Sequence, residues 1–299
     1  MKRFIAYILS ILIALMFLLF TLDQLYSYVY KNGLPRNKIS YLMSLEGKEI
    51  DYIFLGSSRV DNTIDAEIIE DITGKKALNL GIQATEPNDF YLLLKLIDEL
   101  NIKTEKIFIQ IDYSFDLGGK SKILNSYLMP YTQNAHISNH LEETTDDYWW
   151  VINFPFYKYL KYDYKIGFRE VFSSGIQKPS KTDFANGYFP KYGYSGVPLK
   201  GKLSKSIGNL NTYVNAINNF SNKKNINVIY FTAPFCPKTK NLDYISKLKR
   251  KLPTLWNFSR LFSTEDYFYD CNHLNNKGAQ LFSAKVGAKI KSIESAKVD

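Results

Sequence analysis

The chain has 299 residues, 45% of them hydrophobic and 22% charged, a balance that buries a core and excludes wholesale disorder. Two cysteines and three histidines exclude a disulfide framework and a four-cysteine zinc site. The net charge of +9 admits nucleic acid, an anionic membrane or an acidic polymer as partner. However, the lysines are scattered, and their one dense cluster, Lys247-Leu248-Lys249-Arg250-Lys251, reads as the solvated end of a helix.

The first element is apolar. Phe4 to Leu22 is an uncharged stretch of 19 residues, ~28 Å as a helix, close to the hydrocarbon thickness of a bilayer. Lys2 and Arg3 precede it and Asp23 follows, which favours a cytoplasmic amino terminus and an extracytoplasmic remainder. The stretch runs into Asp23-Gln24-Leu25-Tyr26 without a small-residue cleavage site, so an uncleaved single-pass anchor is expected rather than a signal peptide. Residues 1–22 are thus read as the anchor, and 23–50 as a stalk with a linking helix.

From residue 51 the pattern alternates. Short apolar runs at 51–56, 77–81, 106–112, 226–234 and 255–259 read as strands. Helical periodicity occupies 65–73, 86–100, 203–222 and 275–293. Such alternation implies a mostly parallel sheet covered on both faces, with ligands bound outside the carboxyl ends of its strands. Residues 113–202 break the rhythm and read as an insertion over that edge of a domain spanning 51–299. The 15% aromatic content is explained equally by a codon bias and by a sugar-stacking surface.

Three features fall at the carboxyl ends of these elements. Gly56-Ser57-Ser58-Arg59 follows the first strand, where a serine hydroxyl is exposed as a nucleophile needs, although Gly-Ser-Ser is also a common turn. Asn79-Leu80-Gly81 ends the second strand, where a glycine lets a backbone N–H approach a developing oxyanion or simply makes a turn. Asp270-Cys271-Asn272-His273 leads into the last helix. Its aspartate can accept the Nδ1 hydrogen bond of the histidine and turn Nε2 toward a nucleophile; alternatively His273 merely caps the helix. Arg59 is a candidate for binding an anionic substrate group or for pairing with a carboxylate on the following helix. Cys236 and Cys271 are candidates for a disulfide bracing the Asp270–His273 loop, against two buried thiols. His136 and His140, four apart and followed by Glu142 and Glu143, would place two metal-type ligands on one face of a helix, but without a Glu directly after His136 they read as a solvated polar loop. No metal and no cofactor is expected.

Taken in order, GSS, NLG and DxxHLN resemble the SGNH (GDSL-type) hydrolase superfamily over residues 51–112 and 226–292. The resemblance implies a three-layer α/β/α flavodoxin-like sandwich and serine ester hydrolysis or acyl transfer. Ser58 would be the nucleophile, His273 the base, Asp270 its orienter, and the N–H groups of Ser58 and Gly81 part of the oxyanion hole. Two departures stand out. Ser57 replaces the usual aspartate, as in membrane-anchored relatives that handle envelope polymers. The usual G-x-N-D block after the third strand is replaced by Gln110-Ile111-Asp112-Tyr113-Ser114, which leaves Gln83 as the stand-in oxyanion donor. The implied partners are an acylated glycan or another envelope polymer, membrane lipid through the amino-terminal helix, and a multi-pass membrane acyl transporter, with no nucleic acid. The competing expectation is an inactive binding or assembly protein on the same fold.

Overall fold

A computed structural model describes residues 1–163, 167–209 and 211–296. Helix α1 (Lys2–Asn32) is long and apolar enough to cross a membrane. At 1.5 Å per residue it measures ~46 Å, more than the hydrocarbon of a bilayer requires. The expected stalk therefore begins as a continuation of the same helix. Helix α2 (Lys38–Met43) follows, opened by a reciprocal cap between Asn37 and Ser40, which satisfies two amide donors that lack helical partners.

The alternating region then unfolds in order: β1 (Tyr52–Leu55), α3 (Ser58–Asp61), α4 (Ala66–Thr73), β2 (Ala77–Asn79), α5 (Pro87–Glu99) and β3 (Lys106–Gln110). Five helices come next: α6 (Lys122–Leu128), α7 (Ala135–Thr144), α8 (Tyr148–Asn153), α9 (Tyr157–Tyr162) and α10 (Gly167–Gly175). The chain closes with α11 (Thr212–Lys224), β4 (Val228–Thr232), α12 (Asp243–Lys251), β5 (Trp256–Asn257) and α13 (Asn276–Ser295). Helix α11 begins later than its apolar periodicity implies. Asn211 sets the start by accepting from the amides of Tyr213 and Val214, and position 210 of the expected helix lies outside the described residues.

Two compact units result, Leu45–Ser121 with Thr182–Asp299, and Met1–Ser44 with Lys122–Lys181. This differs from the expected division at residues 22 and 50, because the helices of 122–181 group with the amino-terminal segment.

The first of these units carries a mixed α/β arrangement. Among the described residues its five strands are all parallel, in the order β2-β1-β3-β4-β5, and helices flank them. Strands β1, β2 and β3 are buried throughout, which is why they read as continuous apolar runs instead of alternating ones. Phe54 and Phe108, paired in register on β1 and β3, stack at 4.7 Å, and Phe231 and Phe282 extend the same cluster. The pairing of Phe54 with Asn79, Leu55 with Ile109 and Gln110 with Phe231 brings the ends of β1, β2, β3 and β4 to a common edge, where the connecting turns gather polar side chains.

In the other unit, the second half of α1 is packed by the inserted helices. The Asp23 carboxylate accepts the Phe156 amide at 2.8 Å and pairs with Lys158 at 3.1 Å. Tyr30 donates to Asp163 at 2.6 Å, and Ser27 and Tyr159 share a 2.7 Å bond. Leu19, Leu22, Tyr26 and Val29 pack on a cluster of Tyr30, Phe156, Tyr159 and Val171. His136 and His140 lie on α7, and His140 is buried, so the expected solvated polar loop is a helix with one histidine turned inward.

Candidate active site

Gly56 ends β1 with no room for a side chain: a Cβ there would come within 2.3 Å of Val60 and 2.8 Å of Gln110. The turn can consequently close tightly onto α3. Ser57 is the N-cap of that helix, its hydroxyl accepting from the Arg59 amide at 3.3 Å. Ser58 becomes the first helical residue, half-exposed, and its own N–H has no acceptor among the described residues, as expected of a first-turn amide.

The loop before α13 supplies the partner groups. Asp270 accepts from the backbone amides of Asn272 at 2.8 Å and His273 at 2.9 Å. It also lies 2.9 Å from His273 Nδ1 through each carboxylate oxygen. Burial alone would raise the Asp270 carboxyl, but the hydrogen bonds from His273 and the two amides outweigh it and hold it below its ordinary value. It thus stays an ionised acceptor, and the Nδ1 proton is fixed on that side. The other ring nitrogen, Nε2, stands 2.8 Å from Ser58 Oγ across 215 residues of sequence. A hydroxyl, an imidazole and a carboxylate are thereby joined in one chain of hydrogen bonds, an arrangement able to withdraw a proton from the hydroxyl as it attacks.

The other candidates are placed differently. Gly81 donates its N–H to Asn79 Oδ1 at 2.8 Å, so that donor is engaged inside its own loop rather than presented to a substrate. The absent side chain has a packing cause, since a Cβ would come within 2.3 Å of the Asp61 amide of α3. Gln83 is exposed and its amide reaches Asp61 at 3.4 Å. Arg59 is 0% exposed, which corrects its expected role at a substrate surface. Its Nε donates to Asp112 at 2.8 Å, and one terminal nitrogen donates to the carbonyls of Ala233 at 2.8 Å and Pro234 at 2.9 Å. The other terminal nitrogen donates to the Asn272 carbonyl, and the guanidinium lies 3.9 Å from the Phe235 ring centre. The carboxylate that pairs with it comes from the end of β3 and not from the following helix. One buried cation therefore ties the Ser58 turn to the ends of β3 and β4 and to the His273 loop.

Three further residues, whose types alone do not mark them, bear on the site. Gln110 Oε1 accepts from both the amide and the hydroxyl of Ser57 at 3.1 Å. Asp112 holds Arg59, and Tyr113 is hydrogen-bonded to the Ser57 side chain, with burial pushing its phenol up from the usual range. Their signal was available: two polar residues, Gln110 and Asp112, end an otherwise apolar strand, where a buried polar group needs a partner.

Cys236 and Cys271 are joined by a disulfide, with Cα atoms 4.9 Å apart. It links the segment after β4 to the loop that carries His273. Residues 182–202 also brace this region: the Phe189 amide donates to the Asp61 carbonyl, the Phe189 carbonyl accepts from the Asn62 side chain at the end of α3, and the Ser195 amide donates to the Tyr269 carbonyl. A cleft of about 700 Å³ is lined by Tyr194, Lys200, Lys202, Lys238 and Lys240, without Ser58 or His273. Among the described residues no cluster of three or more potential ligands for a metal ion occurs. Comparison with known proteins assigns no family: no family model matches the chain, and no curated protein matches it.

Proposed function

We propose that the chain is a membrane-anchored serine enzyme of SGNH type that acts on an acyl ester of an envelope glycan. The observation that carries the reading is the continuous Ser58–His273–Asp270 hydrogen-bond chain, with its 2.8 Å contact between Oγ and Nε2. The strand order β2-β1-β3-β4-β5 supports a flavodoxin-like sandwich, whose ligands bind at the carboxyl ends of the strands. Two pairings, α4 with α13 and α5 with α11, support helical layers on either side of the sheet. The disulfide supports an oxidising setting, which agrees with a domain held outside the membrane by α1.

In this reading Ser58 Oγ attacks the acyl carbonyl carbon while its proton passes to His273 Nε2. Asp270 stabilises the imidazolium that forms. The tetrahedral intermediate collapses as His273 returns the proton to the departing sugar oxygen, leaving an acyl-serine and a free hydroxyl. Water or a second sugar hydroxyl then attacks the acyl carbon, giving up its proton to His273 and regenerating Ser58. The outcome is ester hydrolysis or acyl transfer, with a multi-pass membrane transporter as a source of acyl groups in the second case.

The Ser58 amide is the open donor for the oxyanion. Each missing donor of this kind costs ~10²–10³ in rate. The engaged Gly81 N–H favours a second reading, an SGNH-fold binding or assembly protein of the polysaccharide machinery without turnover. A fluorophosphonate probe separates the two. The enzyme reading expects covalent labelling of the wild-type chain that is lost in Ser58→Ala. An unlabelled wild type, or labelling that survives the substitution, rejects it.

A further inference from the structure

We propose that α8, α9 and α10 form a collar that seats on the lipid headgroup layer around the point where α1 leaves the bilayer. The inference rests on α1 being a membrane span, but it concerns a different surface, one that the span itself does not require.

The first argument is depth. Asp23 is the first charge after the apolar stretch, and its carboxylate is taken by the Phe156 amide and by Lys158. Leu19 and Leu22, in the last apolar turn, pack on the cluster containing Phe156 and Tyr159. The chain at the junction of α8 and α9 is therefore pinned at the level where hydrocarbon gives way to headgroups. Gly175, at the end of α10, lies against Val29, ~9 Å further along α1 and near the outer edge of the headgroup layer. The most apolar window of α1 has none of its residues buried inside the protein, so lipid must cover it if anything does.

The second argument is what these helices present outward. Trp149 and Trp150 on α8 are 63% and 48% exposed, and Leu160 on α9 is 69% exposed. On α10, Phe168 and Phe172 are 70% and 58% exposed, whereas Val171 and Ser174 are buried. Helix α10 is thus amphipathic, with its aromatic side away from the protein. Apolar surface of this kind marks an interaction site, and tryptophan with its polar N–H suits the membrane–water boundary. The patch is carried by helices that are fixed to α1 at Asp23 and Val29, directly after its lipid-facing stretch. A bilayer that takes up the apolar stretch of α1 reaches the level of Asp23 and so meets these helices as well.

The chain contains three tryptophans, and the third, Trp256, lies on β5. The full-length Trp256→Phe chain therefore reports on Trp149 and Trp150 alone. Reconstituted into phosphatidylcholine vesicles whose acyl chains are brominated near the headgroup, its emission is expected to lose roughly half its intensity relative to unbrominated vesicles. Extraction with alkaline carbonate is run in parallel. A chain that resists extraction yet keeps its full emission overturns the collar and leaves the span standing. A chain released by carbonate overturns both. Unquenched emission with cross-linking as a dimer assigns the patch to a second copy and likewise overturns the collar.

Discussion

At the residue scale, the site is an arrangement of few groups with separable jobs. Asp270 holds one side of the imidazole so that the other faces Ser58. Asp270→Asn leaves the shape but offers the wrong hydrogen-bond partner, and a comparable change in a serine triad costs ~10⁴ in rate. The expected outcome is a fluorophosphonate labelling rate lower by about that factor, measured with the fold intact by circular dichroism. The same carboxylate leaves a mark on stability. Its folded value lies below the ordinary 3.8, so its contribution is fully present above that range and is lost as pH falls through the lower, folded value. Thermal melts between neutral and acid pH should therefore show wild type converging on Asp270→Asn as the pH drops.

Arg59 is the clearest case of a residue whose type was plain and whose role was not. An arginine beside a nucleophilic serine reads equally well as a substrate clamp or an internal brace, because sequence carries no information on burial at a turn. The structure decides through Asp112, Ala233, Pro234 and Asn272, which together receive its donors. Removing one member of a buried ion pair strands the other charge, at a cost of ~3–5 kcal/mol. Arg59→Met is expected to lower the unfolding free energy by that order in denaturant titrations. The double change Arg59→Met with Asp112→Leu should recover part of the loss, because no charge then remains buried alone.

At the element scale, the strands and the helices packed on them were legible, and their ends less so. The run 106–112 reads as one strand because apolar residues continue through Ile111, yet β3 stops at Gln110, where the side chain turns to hold Ser57. The candidate site sits at such ends, since polar groups there are committed to neighbouring turns rather than to the sheet. The segment after β4 and the base loop form one such pair, joined by Cys236–Cys271 over a sequence separation of 35. A loop of that length implies ~4 kcal/mol from restricting the unfolded chain. Cys236→Ser with Cys271→Ser is expected to lower the melting temperature and to slow probe labelling by freeing the His273 loop. Equal labelling rates in the two chains would show that Arg59 and the Asp270 amide bonds hold the loop unaided.

The inserted helices show the opposite balance. Nothing in their periodicity joins them to α1. Asp23 explains the difference. A charge at the end of an apolar helix looks like a solvated boundary, but here it is buried by Phe156 and Lys158.

At the scale of the whole molecule, charge and hydropathy set the expected topology. Lys2 and Arg3 before the apolar helix favour a cytoplasmic amino terminus, and the disulfide agrees with a sheet-bearing unit on the other side. Lys249 is exposed on α12. In Lys249→Cys, a membrane-impermeant maleimide is expected to label intact cells as strongly as permeabilised ones. Labelling only after permeabilisation would place the unit, and the site with it, in the cytoplasm.

The amino-acid sequence by itself determined the apolar helix, the alternation that makes a parallel sheet, and the residue types able to do serine chemistry, because periodicity and composition are local properties. Tertiary structure alone decided that Ser58 meets His273, that Arg59 points inward, that the Gly81 amide is engaged, and that residues from 122–181 pack on the second half of α1. Each depends on groups far apart in the chain competing for the same burial and hydrogen bonds, and that competition is resolved only when the chain is folded.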